Sequence, residues 1–262
     1  VHHALAEAKR LLSNGHSNPA WPARNGGPSP VRTDTMLAAL PLIPLAALGT
    51  LTLWLGWRTA GAARARRAAR EGYFREAAGL FDRVQKRVEP TGFARMAGHL
   101  DGHAFDLQAI PDTLTFRKLP ALWVMVSLPA PVPVGAVIDI MARPTGQEHF
   151  SHFGTLPHSL PLPDNLPEGT GVRSDNAAGV PPMKVIAPHL AVFADPAVKE
   201  LVISPRGIRV VVLGEEADRG RYLLFRDAEM GLTPFTAARL RPLVDRILAL
   251  RDDLAEHAGR AE

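Results

Sequence analysis

A single uncharged run, Leu37 to Trp57 (LAALPLIPLAALGTLTLWLGW), constrains this chain more than any other feature. As a helix it would extend roughly 31 Å, about the depth of one hydrocarbon core. Trp54 and Trp57 stand at its second end, where indole rings favour the headgroup layer. Pro41 and Pro44 fall in its first third, where they start the helix late or kink it. The run predicts one transmembrane helix over 36–58. A cleaved signal peptide needs a shorter apolar stretch behind a basic segment, and a buried helix of a soluble domain shows a polar face, so both fit this run less well.

The flanks predict an orientation. Arg58, Arg64, Arg66, Arg67, Arg70 and Arg75 follow the run closely, whereas only Lys9, Arg10, Arg24 and Arg32 precede it. The positive-inside rule therefore places the C-terminal part in the cytoplasm, with the N-terminus outside a bacterial inner membrane. The lipid bilayer is the partner expected along Leu37 to Trp57. The arginine cluster is accounted for by an anionic lipid surface, and no nucleic acid is expected. The first 35 residues are Gly-, Pro- and Ser-rich without periodicity, and Met36 stands directly before the apolar run. Residues 1–35 therefore read as a disordered or non-native extension, with Met36 as the candidate start.

From residue 62 to 89 the spacing of Phe74, Ala77, Phe81, Val84 and Val88 predicts an amphipathic helix, ended by Pro90. Residues 59–90 thus form a basic segment and linking helix. The period then changes to two. FARMAGHL (93–100) and HAFDLQAI (103–110) flank Asp101-Gly102, the strongest short hairpin signal in the chain. Leu114 and Phe116 alternate with polar neighbours, and ALWVMVSL (121–128) and GAVIDIMA (135–142) are continuous apolar strands, covered on both faces or central in a sheet. Residues 143–182 carry seven prolines and read as one long irregular loop, its back part 164–182 solvated. Asp195-Pro196 reads as the start of a short helix. GIRVVVL (207–213) and RYLLFRD (221–227) read as a second hairpin. Leu240, Leu243, Val244, Ile247, Leu250 and Leu254 mark a C-terminal helix, with Pro242 in its first turn.

The fold class expected is α+β: a single N-terminal transmembrane helix, then a mainly antiparallel sheet domain over 91–262 with a linking helix and a C-terminal helix. Such an element order is compatible with a small curled barrel capped by a helix, as in pleckstrin-homology-like domains. DTLTFRKLPALWVMVSLP and ADPAVKELVISPRGIRVV resemble stretches of uncharacterised bacterial membrane-anchored proteins, a likeness that implies no activity.

Catalytic chemistry is poorly represented. The chain has no cysteine, which excludes disulfides, thiolate metal sites and cysteine nucleophiles. No G-x-S-x-G, P-loop or dinucleotide fingerprint occurs. Glu148, His149, His152 and His158 share one loop, but the spacing and proline-rich setting are wrong for a helical metal motif. His99 and His103 straddle the Asp-Gly turn, where they could face each other. Ser127, Ser151, Ser159, Ser174 and Ser204 have no evident base. Glu215, Glu216 and Asp218, and Asp252 with Asp253, read as solvated surface. No catalytic, cofactor or metal residue is assigned. The function expected is a membrane-anchored protein whose cytoplasmic domain is a protein-interaction or membrane-surface module, more a binder than an enzyme. The alternative is a hydrolase-like enzyme using the histidine loop.

Overall fold

The computed structural model describes residues 42–113, 118–146, 148–163 and 166–260. Residues 1–35, the start of the apolar run, and Leu114 and Phe116 lie outside the described residues. The chain divides into two units, Val1–Leu55 and Gly56–Glu262. Helix α1 (Leu42–Glu71) runs through that division.

The expectation of a transmembrane helix is corrected here. Among the described residues no helix is long and apolar enough to cross a membrane. The described part of helix α1, Leu42–Glu71, meets its first charge at Arg58, and this described uncharged stretch is shorter than the roughly 20 residues a span requires. Pro44, Gly49, Thr50, Thr52 and Gly56 dilute it further. The α+β character stands; the single-pass membrane architecture does not.

The amphipathic helix expected to Glu89 stops at Glu71. Tyr73, Phe74 and Ala77 then turn into the core, and Asp82–Val88 is strand β1. The stripe of apolar residues that suggests a helix splits between a turn and an edge strand. Strands β2 (Ala94–Leu100) and β3 (His103–Asp112) form the expected hairpin. Its turn has Asp101 at φ 53° and Gly102 at φ 79°, the doubly left-handed geometry that Asp-Gly favours. Strands β4 (Ala121–Leu128) and β5 (Ile138–Ala142) follow. Within 143–182 the structure places β6 (His158–Ser159) and β7 (Thr170–Ser174), and β7 pairs with β5 from Ile138↔Ser174 to Ala142↔Thr170. The back of the proline-rich stretch is thus part of the sheet, because alternating Thr170, Val172 and Ser174 are buried against it.

Helix α2 (Met183–Ile186) continues as a 3₁₀ helix, Ala187–Ala194. Asp195 starts no further helix. Its carboxylate accepts from the Ala197 N–H at 2.8 Å, a turn that leads into β8 (Val198–Ser204). Strand β9 (Gly207–Glu216) is the hairpin partner of β8, so the second hairpin lies one strand earlier than the sequence suggests. RYLLF instead forms helix α3 (Arg219–Phe225), N-capped by Asp218, whose side chain accepts from the Arg221 N–H at 2.7 Å. Helix α4 (Ala237–Gly259) closes the chain, with Thr236 as N-cap and Pro242 inside it rather than at its start.

The nine strands of the described residues form one antiparallel sheet in the order β1-β2-β3-β4-β9-β8-β5-β7-β6. Its first face carries Met96, Leu107, Val124, Val126, Val210, Leu201 and Ile140, all buried. The apolar stripe of α4, including Leu240, Val244, Ile247 and Leu250, belongs to the same core, and α4 packs against β4 and β9. Each such side chain contributes about 1.5–3 kcal/mol on burial. At one end Tyr73, Phe74, Phe93 and Phe235 form an aromatic cluster, with Tyr73 and Phe74 edge-on at 5.3 Å.

Candidate functional site

With one face of the sheet closed by α4, chemistry is confined to the other. Side chains alternate along a strand, so the register assigns Gln85, Arg95, Ala97, Asp106, Gln108, Met125, Ser127 and Arg209 to that second face. Over β1–β4 and β9 it is open, forming a groove of about 540 Å³. Volumes of this order are typical of ligand sites. Strand β1 contributes through a bulge: its register shifts between Asp82 and Gln85, and Arg83 adopts φ 53°. A non-glycine residue with positive φ is uncommon, and here the bulge makes Arg83 part of the groove wall. Beside it a smaller recess of about 240 Å³ adds Lys86 and Arg87. Asp106 is the acid of this lining, and it is held by Arg95 at 2.8 Å.

The far half of the same face is covered by chain 148–156. Phe150 packs on Trp123 with ring centroids 5.5 Å apart. Phe153 lies over Gly171, where a Cβ would come within 2.7 Å of the ring and push it aside, so glycine lets the ring lie close on the strand. Arg173 sits over the Phe153 ring and donates to the Leu156 carbonyl at 2.8 Å. Two polar anchors complete the cover. Lys199, in the bulge of β8, donates to the carbonyls of Ala142 and Arg143 and meets Glu148 Oε1 at 2.9 Å. Burial opposes ionisation of both partners. At Glu148 the hydrogen bonds from Lys199 and Thr145 outweigh burial and hold the carboxyl down at about 2. At Lys199 burial outweighs the carboxylate, and its pKa is lowered.

The second anchor is Ser151, whose hydroxyl donates to Asp139 Oδ2 at 3.4 Å. Asp139 is 2% exposed and Glu200 is fully buried. Asp139 faces Val202 across the ladder, Arg209 faces Val202 from the other side, and Glu200 lies two residues away on the same face. Two carboxyls and one guanidinium therefore surround Val202. Arg209 Nη2 is 3.8 Å from Glu200 Oε2. Asp139 Oδ1 and both oxygens of Glu200 find no donor among the described residues. Two buried carboxylates this short of donors repel, and a shared proton relieves this. Burial, then the charge of Glu200, pushes Asp139 up to about 8, against the pull of Arg209 and Ser151. Burial raises Glu200 as well.

The sequence names neither acid as a site residue, although each interrupts an apolar strand, VIDIM for Asp139 and VKELVI for Glu200. A charge in the middle of a buried run is the signal that identifies them. The histidines behave otherwise. His149 is 3.9 Å from Asp112, His152 precedes a 3₁₀ turn at Phe153–Thr155, and His158 is exposed on β6. Among the described residues no group of three His, Asp or Glu side chains could hold a metal ion. His99 faces Ala104 rather than His103, and His103 contacts Arg251 at 3.0 Å. Glu215 accepts from the Gly231 N–H, Asp253 bonds His189 at 2.8 Å, and Asp252 lies 3.8 Å from Arg251. Ser127 lines the groove, and Ser174 and Ser204 accept from backbone N–H groups in turns.

No family model matches this chain, and no curated protein matches it. Among solved structures, the mycobacterial trehalose monomycolate transport factor A is similar at 13% identity, covering 72% of this chain and 95% of that one, with a TM-score of 0.31. A likeness that distant carries no argument about this chain.

Proposed function

We propose that the unit 56–262 is a protein-binding module that takes an extended, acidic segment of a partner on the open face of its sheet. One observation carries this reading. The uncovered half of the face is lined by Arg83, Arg87, Arg95 and Arg209, and its lining includes, among the described residues, the carboxylate of Asp106; Glu89 stands 2.8 Å from Arg87 at the margin, and Arg83 is the cation that the bulge adds to the wall. Strand β1 bounds that half with a free edge, since among the described residues it pairs only with β2. Charges and a bulge on an edge strand also discourage unwanted pairing. Here the bulge does more, because it makes Arg83 a wall of the groove. An extended segment laid there gains main-chain hydrogen bonds from the edge and charge complementarity from the arginines.

Fluorescence anisotropy with the full chain tests the proposal. A labelled ten-residue peptide of alternating Glu and Val should bind, and its Lys and Val counterpart should not. Binding should weaken with added salt. Arg83→Glu with Arg87→Glu, both on β1, should weaken it by about tenfold or more, equivalent to roughly 1.4 kcal/mol. Equal binding of the two peptides, or no effect of the double substitution, would remove the reading.

A further inference from the structure

We infer that Asp139 and Glu200, buried beneath residues 148–156, form a one-proton latch that keeps this segment over the far half of the sheet face, and that loss of the proton releases the segment and lengthens the open face. The inference concerns regulation of the face proposed above as the binding site, and so rests on that reading for its purpose. Its test uses no peptide, so the latch and the binding role fail independently.

The geometry carries the latch. Asp139 on β5 and Glu200 on β8 are buried on one side of the sheet, and the segment reaches them through the Ser151 hydroxyl. The charges facing the pair come from every neighbouring element. Strand β9 supplies Arg209, 3.8 Å from Glu200. Strand β7 supplies Arg173, which is opposite Asp139 in the ladder and engaged with the Leu156 carbonyl and the Phe153 ring. Strand β8 adds Lys199, which is occupied by Glu148 of the segment itself. With one proton, the pair carries a single negative charge and Arg209 balances it. Without the proton, two carboxylates share one guanidinium inside a buried site, and solvation of the pair requires the cover to lift.

The sign follows from linkage. With the segment closed Asp139 is raised to about 8; with it released the carboxyl meets water and approaches its ordinary value near 3.9. The closed form binds more protons. Its advantage is therefore complete at acid pH, falls as pH rises through the range between those two values, and levels off above about 8.

Hydrogen exchange of the full chain at pH 6 and pH 9, corrected for intrinsic rates, reads this directly. Amides of 150–156 should lose protection by roughly 10- to 100-fold at pH 9, relative to amides of β4 in the same sample. Asp139→Asn, which keeps a donor toward Glu200 and removes one of the two titrating carboxyls, should make the change in that ratio between the two pH values much smaller than in the wild type. Glu200→Gln offers the same test from the other partner. The wild-type ratio alone decides the matter if neither variant folds. An unchanged ratio in the wild type, or an equal change in a folded Asp139→Asn protein, would overturn the latch.

Discussion

Lys199 shows how one residue determines the form of a whole segment. Its ammonium is drawn out of water, and three oxygens take the place of the hydration shell: two backbone carbonyls and Glu148 Oε1. Each partner is only 9% exposed, so removing one leaves an uncompensated charge rather than a solvated one. Glu148→Gln is therefore expected to destabilise the protein by about 3 kcal/mol, as measured by urea unfolding. The double replacement Lys199→Met with Glu148→Leu should recover much of that loss, because it removes both charges together. A small effect of Glu148→Gln alone would mean the two carbonyls suffice. The sequence conceals this pair. Glu148 stands among histidines and reads as a candidate ligand, and Lys199 follows a proline turn; nothing local says that 50 residues of chain bring them together. Asp139 and Glu200 are different, since an acid within an otherwise apolar strand stands out in the residue order itself.

Among the elements, sequence and structure agree best where backbone chemistry is local. The Asp-Gly turn requires two left-handed residues, and the hairpin follows from that alone. They diverge where an apolar run fits two periods. RYLLF alternates too weakly to specify a strand, and the Asp218 cap decides for helix α3. Arg226 closes the helix in the left-handed conformation at φ 54°. Helix α3 buries none of its residues, and Leu224 is 78% exposed. Its stability is thus local, and Asp218→Ala should cost it about 1 kcal/mol. The expected result is faster amide exchange at 221–225 with an unchanged urea midpoint for the whole protein. A shift of the midpoint would show that α3 is coupled to the core. Phe74, Phe81 and Val88 misled for a related reason: a spacing of three and four describes a helix, but here a tight turn at Gly72 and a bulged edge strand satisfy the same spacing.

At the scale of the whole molecule, the run from Leu37 to Trp57 dominates the sequence, and yet its described part contributes little to the packed structure. Among the described residues, every buried core residue lies at Tyr73 or beyond. The described part of the run is exposed along its length, with Leu45 at 67% and Leu53 at 77%. The sheet, by contrast, closes through contacts distant in sequence: β5 sits between β7 and β8, and β4 meets β9 across nearly 90 residues. That order is invisible to periodicity, which sees one strand at a time. It also implies that cooperativity resides within Gly56–Glu262. A chain beginning at Gly56 keeps Arg66 beside Glu229 and the Arg70 hydrogen bond to the Met230 carbonyl. It should unfold in one transition, with Tm within about 2 °C of the full chain. Scanning calorimetry of the two proteins checks this. A truncated protein that unfolds broadly, or at a much lower temperature, would mean that Val1–Leu55 supports the fold through contacts the described residues do not include.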